Sequence, residues 1–152
     1  MFTNILCALK FSPASLQALA TSVELCRGTG AHLTIFHALD YRLLGKSPSD
    51  PDWVNSAKHA KEAFLAQVEP MLKGFTEFTF SCWPADPSLE VCRLAWKTES
   101  DLIVIGCHQG KEGRSMGRVD LAAMTIFENA PCKVMLVPFR EQSGPASGET
   151  SK

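Results

Sequence analysis

Residues 104–139, VIGCHQGKEGRSMGRVDLAAMTIFENAPCKVMLVPF, decide the fold because they contain one complete crossover unit. An apolar run leads into a glycine-rich loop, an apolar helix-forming segment follows, and a second apolar run closes the stretch. Short apolar runs of this kind are typical of strands buried on both faces. Two such strands joined through a helix are predicted to be parallel, since parallel strands need a crossover connection.

The preceding part of the chain, residues 53–106, repeats this unit. ADPSLEVCRLAWKTES (85–100) predicts a helix, because Asp86 and Pro87 are typical of a helix start. The apolar run DLIVIG (101–106) that follows it predicts a strand. FTEFTFSCW (75–83) alternates like a strand with one less buried face. WVNSAKHAKEAFLAQVEPMLKG (53–74) predicts an amphipathic helix that Pro70 kinks or shortens. The apolar residues on one side of that helix are Trp53, Ala57, Ala60, Phe64 and Val68.

The first forty residues add two more strands, TNILCALKF (3–11) and AHLTIFHALD (31–40). The helix between them is predicted to begin at Ser12 and Pro13 and to stop at Gly28 and Gly30. Strand and helix therefore alternate four times before a final strand, which indicates an open α/β parallel sheet with helices on both faces. Ligands of such sheets bind beyond the carboxyl ends of the strands. The loops after Leu9, His37 and Ile105 are thus expected to surround one crevice.

Length and composition narrow the classes of protein to consider. The chain has 152 residues, which suits one domain at 1–139 followed by a polar, unstructured tail at 140–152. The net charge of -1 and the 20% of charged residues give no basic face for nucleic acid. No apolar run approaches the roughly 20 residues that span a bilayer, and the start lacks a signal peptide. The six cysteines form no CxxC pair, which favours reduced core thiols and a cytoplasmic location.

Four stretches, in this order and at this spacing, resemble the universal stress protein family: ILCALKFSPASLQAL, GAHLTIFHALD, ADPSLEVCRLAWKTESDLIVIG and APCKVMLVP. The resemblance covers nearly the whole chain, from Thr3 to Phe139. It implies a five-stranded parallel sheet of order 3-2-1-4-5, a Rossmann-like fold of the adenine nucleotide alpha hydrolase type. It also implies a homodimer through the last strand, Cys132–Pro138. The run VMLV carries no charge or proline to protect a sheet edge, so pairing of two copies would cover it.

ATP-binding members of the family resemble G-x2-G-x9-G-(S/T) after the fourth strand and carry an aspartate after the first. Gly106 matches the first glycine, and Gly110 matches the second with one residue inserted. Asp120 stands at the third glycine, Leu121 at the hydroxyl residue, and Lys10 at the aspartate. Asp120 would place a carboxylate near the phosphate path, and two like charges at 4 Å repel by about 1 kcal/mol in water and about 4 kcal/mol near a protein surface.

The family positions that map onto this chain define a degenerate nucleotide pocket. His37 at the end of the second strand is interpreted as a structural histidine. Asp120 is interpreted either as a favourable residue at a helix start or as an ion-pair partner of Lys10. The pocket residues are Ala8, Leu9, Lys10, Ser12, Ala38, Ile105, Gly106, His108, Gln109, Gly110, Asp120, Leu121 and Ala122.

Three functions remain open at this point. The first is a non-enzymatic cytoplasmic stress-response dimer that holds no cofactor and acts through regulatory protein partners. The second is a switch that binds ATP or another nucleotide through the altered G-x3-G-x9-D-L motif, with at most weak ATPase activity. The third is an enzyme of the related adenine nucleotide hydrolase fold, although no nucleophile–base pair and no zinc-ligand spacing is visible. Lys10, Asp120 and Leu121 favour the first.

Overall fold

The computed structural model describes residues 1–40, 45–47, 49–109 and 121–140. A π-helical turn, Phe64–Val68, joins the second and third helices. The strands are β1 (Asn4–Ala8), β2 (His32–Leu39), β3 (Phe78–Pro84), β4 (Leu102–Gln109) and β5 (Lys133–Arg140). The helices are α1 (Pro13–Thr29), α2 (Trp53–Ala63), α3 (Glu69–Leu72), α4 (Pro87–Lys97) and α5 (Leu121–Asn129).

The five strands form one parallel sheet of order β3-β2-β1-β4-β5, which confirms the predicted fold. β1 is the middle strand, and β4 lies between β1 and β5. Successive β1 residues point to opposite faces, yet Ile5, Leu6 and Cys7 are all fully buried. Both faces of the sheet are therefore covered, as the unbroken apolar runs predicted.

Two core clusters lie on the two sides of the sheet. Ile5 and Cys7 pack with Leu19 of α1 and Phe64 of the π-helical turn. Leu6, on the opposite face, packs with residues of α4 and α5 that include Ile126. Because α1 and the π-helical turn cover one face while α4 and α5 cover the other, the sheet is wound on both sides.

Local chemistry sets the helix ends. The Ser12 side chain accepts from the Ser15 amide at the start of α1, and Pro13 occupies the first turn, as predicted. Asp86 accepts from two amides at the start of α4. Of the two glycines predicted to end α1, only Gly30 does so. α1 continues through Gly28 and ends at Gly30, which has a left-handed backbone with φ of 76°.

Pro70 changes the helix that precedes it. Proline has no N–H for the helical ladder, and its ring clashes with the carbonyl four residues earlier. The π-helical turn lies directly before it, and the Glu69 amide donates to the Phe64 carbonyl five residues back. The predicted disturbance is thus a widened turn, after which α3 runs for only one more turn, to Leu72.

β5 is longer than the predicted apolar run. It extends to Arg140 in register with Gln109 of β4, so the strand contains a proline, Pro138, and ends on a cation. The predicted strand, Cys132–Pro138, thus begins one residue earlier and ends two residues earlier than the observed one, and the uncharged run VMLV lies inside both. The predicted boundary at 139 falls inside β5, and the predicted tail from 141 onward lies outside the described residues.

All six cysteines are free thiols in the structure. Burial raises the pKa of Cys7 to about 12 and that of Cys26 to about 11. Both side chains belong to the core cluster on the α1 side, as expected for cysteines acting as small hydrophobes. Among the described helices, none is both long and apolar enough to cross a membrane.

We predict that Asp101 makes stability depend on pH. Its carboxylate accepts from the Thr3 amide at 2.8 Å, the Thr3 hydroxyl at 2.9 Å and the Asn4 amide at 3.3 Å. Burial raises the pKa of Asp101, but these hydrogen bonds together outweigh burial and lower it. A lowered folded-state pKa gives stability that is present at neutral pH and is lost as the pH falls through it.

The substitution Asp101→Ala should therefore lower the free energy of unfolding by about 1 kcal/mol at pH 7, a value discounted for solvent exposure. The difference from wild type should shrink toward pH 3. Urea unfolding at both pH values measures it, with the exposed Glu24→Ala of α1 as the control carboxylate. An equal difference at the two pH values would contradict the role assigned to this carboxylate.

Candidate ligand-binding crevice

Two adjoining cavities open at the carboxyl end of the sheet. Cavity 1 has a volume of about 240 Å³ and lies between the ends of β1 and β4 and the starts of α1, α4 and α5. Cavity 2 has a volume of about 230 Å³ and lies beside the end of β2. Ala8, Lys10, Pro87 and Val91 line both. The two cavities therefore form one crevice at the place where the strand order reverses.

The turn from β1 into α1 is organised by the buried hydroxyl of Ser15. Its Oγ accepts from the amides of Lys10 and Ser12, each at 3.1 Å, and donates to the Ser12 carbonyl at 3.1 Å. In return, Ser12 Oγ accepts from the Ser15 amide at 3.2 Å. The Lys10 backbone is thus fixed by hydrogen bonds while its side chain is exposed at the crevice.

Phe11, inside this turn, has a left-handed backbone with φ of 59°, which is uncommon for a residue with a side chain. Its ring packs edge-on against His37 with centroids 4.9 Å apart. His37 Nδ1 lies 2.7 Å from the Leu9 carbonyl, so Nδ1 carries a hydrogen and donates. Burial lowers the pKa of His37, although this hydrogen bond opposes the shift. The interpretation of His37 as a structural histidine agrees with this geometry, although it also lines cavity 2.

Gly106 permits close packing of β4 against α1. A Cβ at this position would lie 2.3 Å from the Ala14 carbonyl oxygen and 2.8 Å from the Ser15 nitrogen. Both neighbours are backbone atoms, so rotation of a side chain cannot relieve the contact. Gly106 matches the first glycine of the ATP-binding motif, and in the described structure it has a packing role, which brings the start of α1 beside the end of β4.

Cavity 1 has mostly apolar walls, which include Val91 of α4 and Ile126 of α5. Ser88, in the first turn of α4, also lines it and is only 7% exposed. Its amide donates to Asp86 at 3.1 Å, but its hydroxyl has no hydrogen-bond partner among the described residues. Because that oxygen is not sealed from the cavity, it presents an unused donor and acceptor there.

Charge is distributed unevenly between the two cavities. Asp40 and the neutral His37 line cavity 2 only. Lys10 lines both cavities, and it forms no ion pair within the described ranges. Cavity 1 is lined by no carboxylate from the described part of the chain. The described walls of cavity 1 are therefore largely apolar and carry one cation, Lys10.

Most of the predicted pocket residues that the structure describes come together at this crevice. Leu121 does not: its side chain is 83% exposed and lines neither cavity. Gln109 is described only through its backbone at the end of β4, and Gly110 and Asp120 lie outside the described residues. Cavity 1 takes Ala8, Lys10, Ser12, Ile105, Gly106, His108 and Ala122, and cavity 2 takes Ala8, Leu9, Lys10 and Ala38.

The start of α4 is one part of the crevice that the sequence interpretation missed. Pro87, Ser88 and Val91 line cavity 1, and two of them also line cavity 2. One signal was available: the helix start at Asp86 follows the carboxyl end of β3, which is at the same end of the sheet as the predicted crevice.

Within the described residues, no three histidine, cysteine, aspartate or glutamate side chains are grouped so that they could hold a metal ion. The hydroxyl of Ser15 is engaged by the β1–α1 turn, and His37 Nδ1 by a carbonyl. The geometry of this part of the chain is therefore suited to binding a molecule and offers no assembled nucleophile and base.

Comparisons with known proteins agree on the family and the fold. The model of the universal stress protein family matches residues 1–138. A universal stress protein UspA from Lactobacillus plantarum is similar in structure, with 23% identity, a TM-score of 0.66, and coverage of 89% of this chain and 97% of that one. No match was found among curated protein sequences.

Two further similar structures are complexes with nucleotides. A universal stress protein in complex with cAMP has 17% identity and a TM-score of 0.65, covering 90% of this chain and 97% of that one. The universal stress protein from Archaeoglobus fulgidus in complex with dAMP has 17% identity and a TM-score of 0.61, covering 90% and 98%. At these identities the likeness extends to the fold alone.

Proposed function

Because this chain belongs to the universal stress protein family, we propose that it is a non-enzymatic, cytoplasmic stress-response protein whose crevice does not bind ATP in the manner of the family's ATP binders. It acts through protein partners and not through catalysis. The observation that carries this proposal is the position of Lys10, which lines both cavities where ATP-binding members place a nucleoside-accepting aspartate.

Leu121 supports the same proposal. ATP-binding members carry a serine or threonine at this position, whose hydroxyl donates to a phosphate. Here the side chain is apolar and turned to solvent, with 83% of its surface exposed. It therefore replaces a hydrogen-bond donor at the start of α5 with a group that cannot donate.

Calorimetric titration of magnesium ATP into the unmodified protein tests the proposal. We expect no heat of binding, or a dissociation constant in the millimolar range, which corresponds to about 4 kcal/mol of binding free energy. Micromolar binding would overturn it.

A nucleotide switch is the second candidate, and the open crevice favours it. Cavities 1 and 2 are not filled by described side chains, and proteins of the same fold have been solved with cAMP and dAMP. A nucleoside monophosphate carries less charge than ATP. The same titration with AMP separates the candidates, because micromolar binding of AMP without binding of ATP would favour the switch.

We also propose that the protein is a homodimer through β5. β5 pairs with β4 alone in the described sheet, so one of its edges is open. A proline in a strand directs its nitrogen away from the ladder. The nitrogen of Pro138 therefore faces the open edge, and the amides of Leu136 and Val134, two and four residues before it, face the same edge. Antiparallel pairing of two copies would satisfy them.

Hydrogen exchange measured at two protein concentrations checks this dimer. We expect the Leu136 amide to exchange at least tenfold more slowly at the concentration where sedimentation shows the dimer. The control is the opposite edge, β3. Glu77 and Ala85 face β2, because the Leu33 amide donates to the Glu77 carbonyl and the Ala85 amide donates to the Leu39 carbonyl. Backbone groups along a strand alternate in direction, so the amide of the even-numbered Phe80 faces away from β2. Equal concentration dependence at Leu136 and Phe80, or a monomer throughout, would count against pairing through β5.

A further inference from the structure

We infer that cavity 1 is a binding site for a small monocarboxylate with an apolar body, with its carboxylate held by Lys10 and Ser88. This inference rests on the proposed absence of ordinary ATP binding at the same crevice. It assigns to Ser88, and to the start of α4, a role in ligand binding that the family motif does not include.

The unused hydroxyl of Ser88 is the first observation. Its oxygen is open to the cavity, because every side-chain N or O atom that is fully buried in the described structure has a hydrogen-bond partner. Ser88 is 7% exposed, lines cavity 1, and leaves its Oγ without a partner in the described structure. Its amide already donates to Asp86, so the start of α4 is complete without the hydroxyl. The hydroxyl is therefore available to donate to a ligand oxygen in cavity 1.

The sign of the ligand charge follows from Lys10. Its backbone is held by Ser15, which fixes where the side chain begins, and its ammonium forms no ion pair within the described ranges. The carboxylate of Asp86, which precedes α4, accepts from the amides of Ser88 and Leu89 and does not line cavity 1. An ammonium and a hydroxyl on the wall of one cavity suit the two oxygens of a carboxylate.

The apolar body follows from the remaining walls, which the side chains of Ala8, Val91, Ile105, Ala123 and Ile126 supply. Such a surface favours hydrocarbon over a polar ligand. Since a water molecule takes about 30 Å³ of liquid, a cavity of about 240 Å³ has room for about eight groups of that size. Cavity 2, which Asp40 lines, is less suited to an anion.

Hexanoate, with eight non-hydrogen atoms, is the probe, and hexanamide is its neutral counterpart of equal size. Calorimetric titration of both into the full chain should show hexanoate binding about tenfold more tightly. Lys10→Met should weaken hexanoate about tenfold and leave hexanamide unchanged. Ser88→Ala should weaken both probes severalfold. Lys58→Met, on the exposed side of α2, is the matched control and should change neither.

Equal affinity for hexanoate and hexanamide would overturn the inference, and so would the same loss in Lys58→Met as in Lys10→Met. The absence of any hexanoate binding by the wild type would also overturn it. Circular dichroism and thermal unfolding of each variant establish that it is folded, and amide chemical shifts of Val91 and Ala123 on addition of hexanoate place the site independently of the variants. ATP is titrated separately: micromolar ATP binding rejects the proposed function, whereas failure of hexanoate alone rejects only this inference.

Discussion

The substitution Gly106→Ala should destabilise the protein by about 3 kcal/mol, the upper part of the range for adding a methyl group to a packed core. The added Cβ would lie 2.3 Å from the Ala14 carbonyl oxygen and 2.4 Å from its carbon. The backbone fixes the position of the alanine Cβ, so either β4 or the start of α1 must shift. For a chain of this size, 3 kcal/mol corresponds to a fall in melting temperature of about 6–12 °C.

Gly28→Ala is the matched control. Nothing lies within 4 Å of a Cβ built at Gly28, and this residue lies inside α1 without a positive φ. Alanine should therefore stabilise the helix there by about 0.4–1 kcal/mol, since it lowers the entropy of the unfolded chain. Thermal and urea unfolding should thus give opposite signs for the same chemical change. A Gly106→Ala protein as stable as wild type would mean that the close contact between β4 and α1 is not present in solution.

A second consequence of Gly106→Ala concerns the crevice. The contact holds Ala14 and Ser15 beside the end of β4, and all three positions line cavity 1. If a shift of α1 relieves the clash, the Ser15 hydroxyl moves away from the Lys10 amide that it now accepts from at 3.1 Å. We expect amide shifts at Lys10 and Ser12 that Gly28→Ala does not produce. The glycine therefore links packing of the fold to the shape of the site.

The contrast between these glycines shows what could be predicted from the sequence. Helix starts at Ser12 and Asp86 were predictable because a cap acts on residues two or three positions away. The sheet order followed from the family resemblance and from strands linked by helices. The role of Gly106 was not predictable in this way, because the atoms it avoids belong to α1, far away in sequence.

The residues of the candidate site also differ in how far the sequence predicts them. Lys10, Ser12 and Ala38 could be placed at the crevice because they directly follow or end strands whose carboxyl ends meet there. Ser88 could have been placed by the same rule, because the start of α4 follows the carboxyl end of β3, whereas the part that Val91 has in cavity 1 depends on how α4 packs on the sheet. The exposure of Leu121 was likewise invisible in a motif that aligns positions and not side-chain directions.

Restoring the ATP-binding motif should raise the affinity for ATP by about two to three powers of ten. The variant is Lys10→Asp, Asp120→Gly and Leu121→Ser together. Lys10→Asp returns a carboxylate that accepts from the nucleoside, at a backbone position fixed by Ser15. Leu121→Ser returns a hydroxyl at the start of α5, and Asp120→Gly removes a like charge that the motif places near the phosphates. Asp120 lies outside the described residues.

The magnitude follows from the bonds regained. A hydrogen bond to a charged group contributes about 1.5–3 kcal/mol, and each 1.4 kcal/mol is a factor of about ten in affinity. One such bond to the nucleoside and one to a phosphate, less the cost of ordering the ligand, gives a gain of about a hundred- to a thousandfold. Calorimetric titration of magnesium ATP into wild type and the triple variant measures it. Lys58→Gln on α2 is the control, because it makes the net charge more negative by the same amount as the three substitutions together.

The single variants apportion the effect between the two cavities. Lys10 lines both, so Lys10→Asp alone should strengthen ATP binding while it weakens hexanoate, because the two ligands need opposite charges at this position. Leu121 lines neither, so Leu121→Ser alone should leave hexanoate unchanged and act only on the longer ligand. A triple variant that binds ATP no better than wild type would show that these three residues are not the obstacle. The inserted residue between Gly106 and Gly110 would then be the remaining difference from the ATP-binding motif, and its deletion would be the variant to measure.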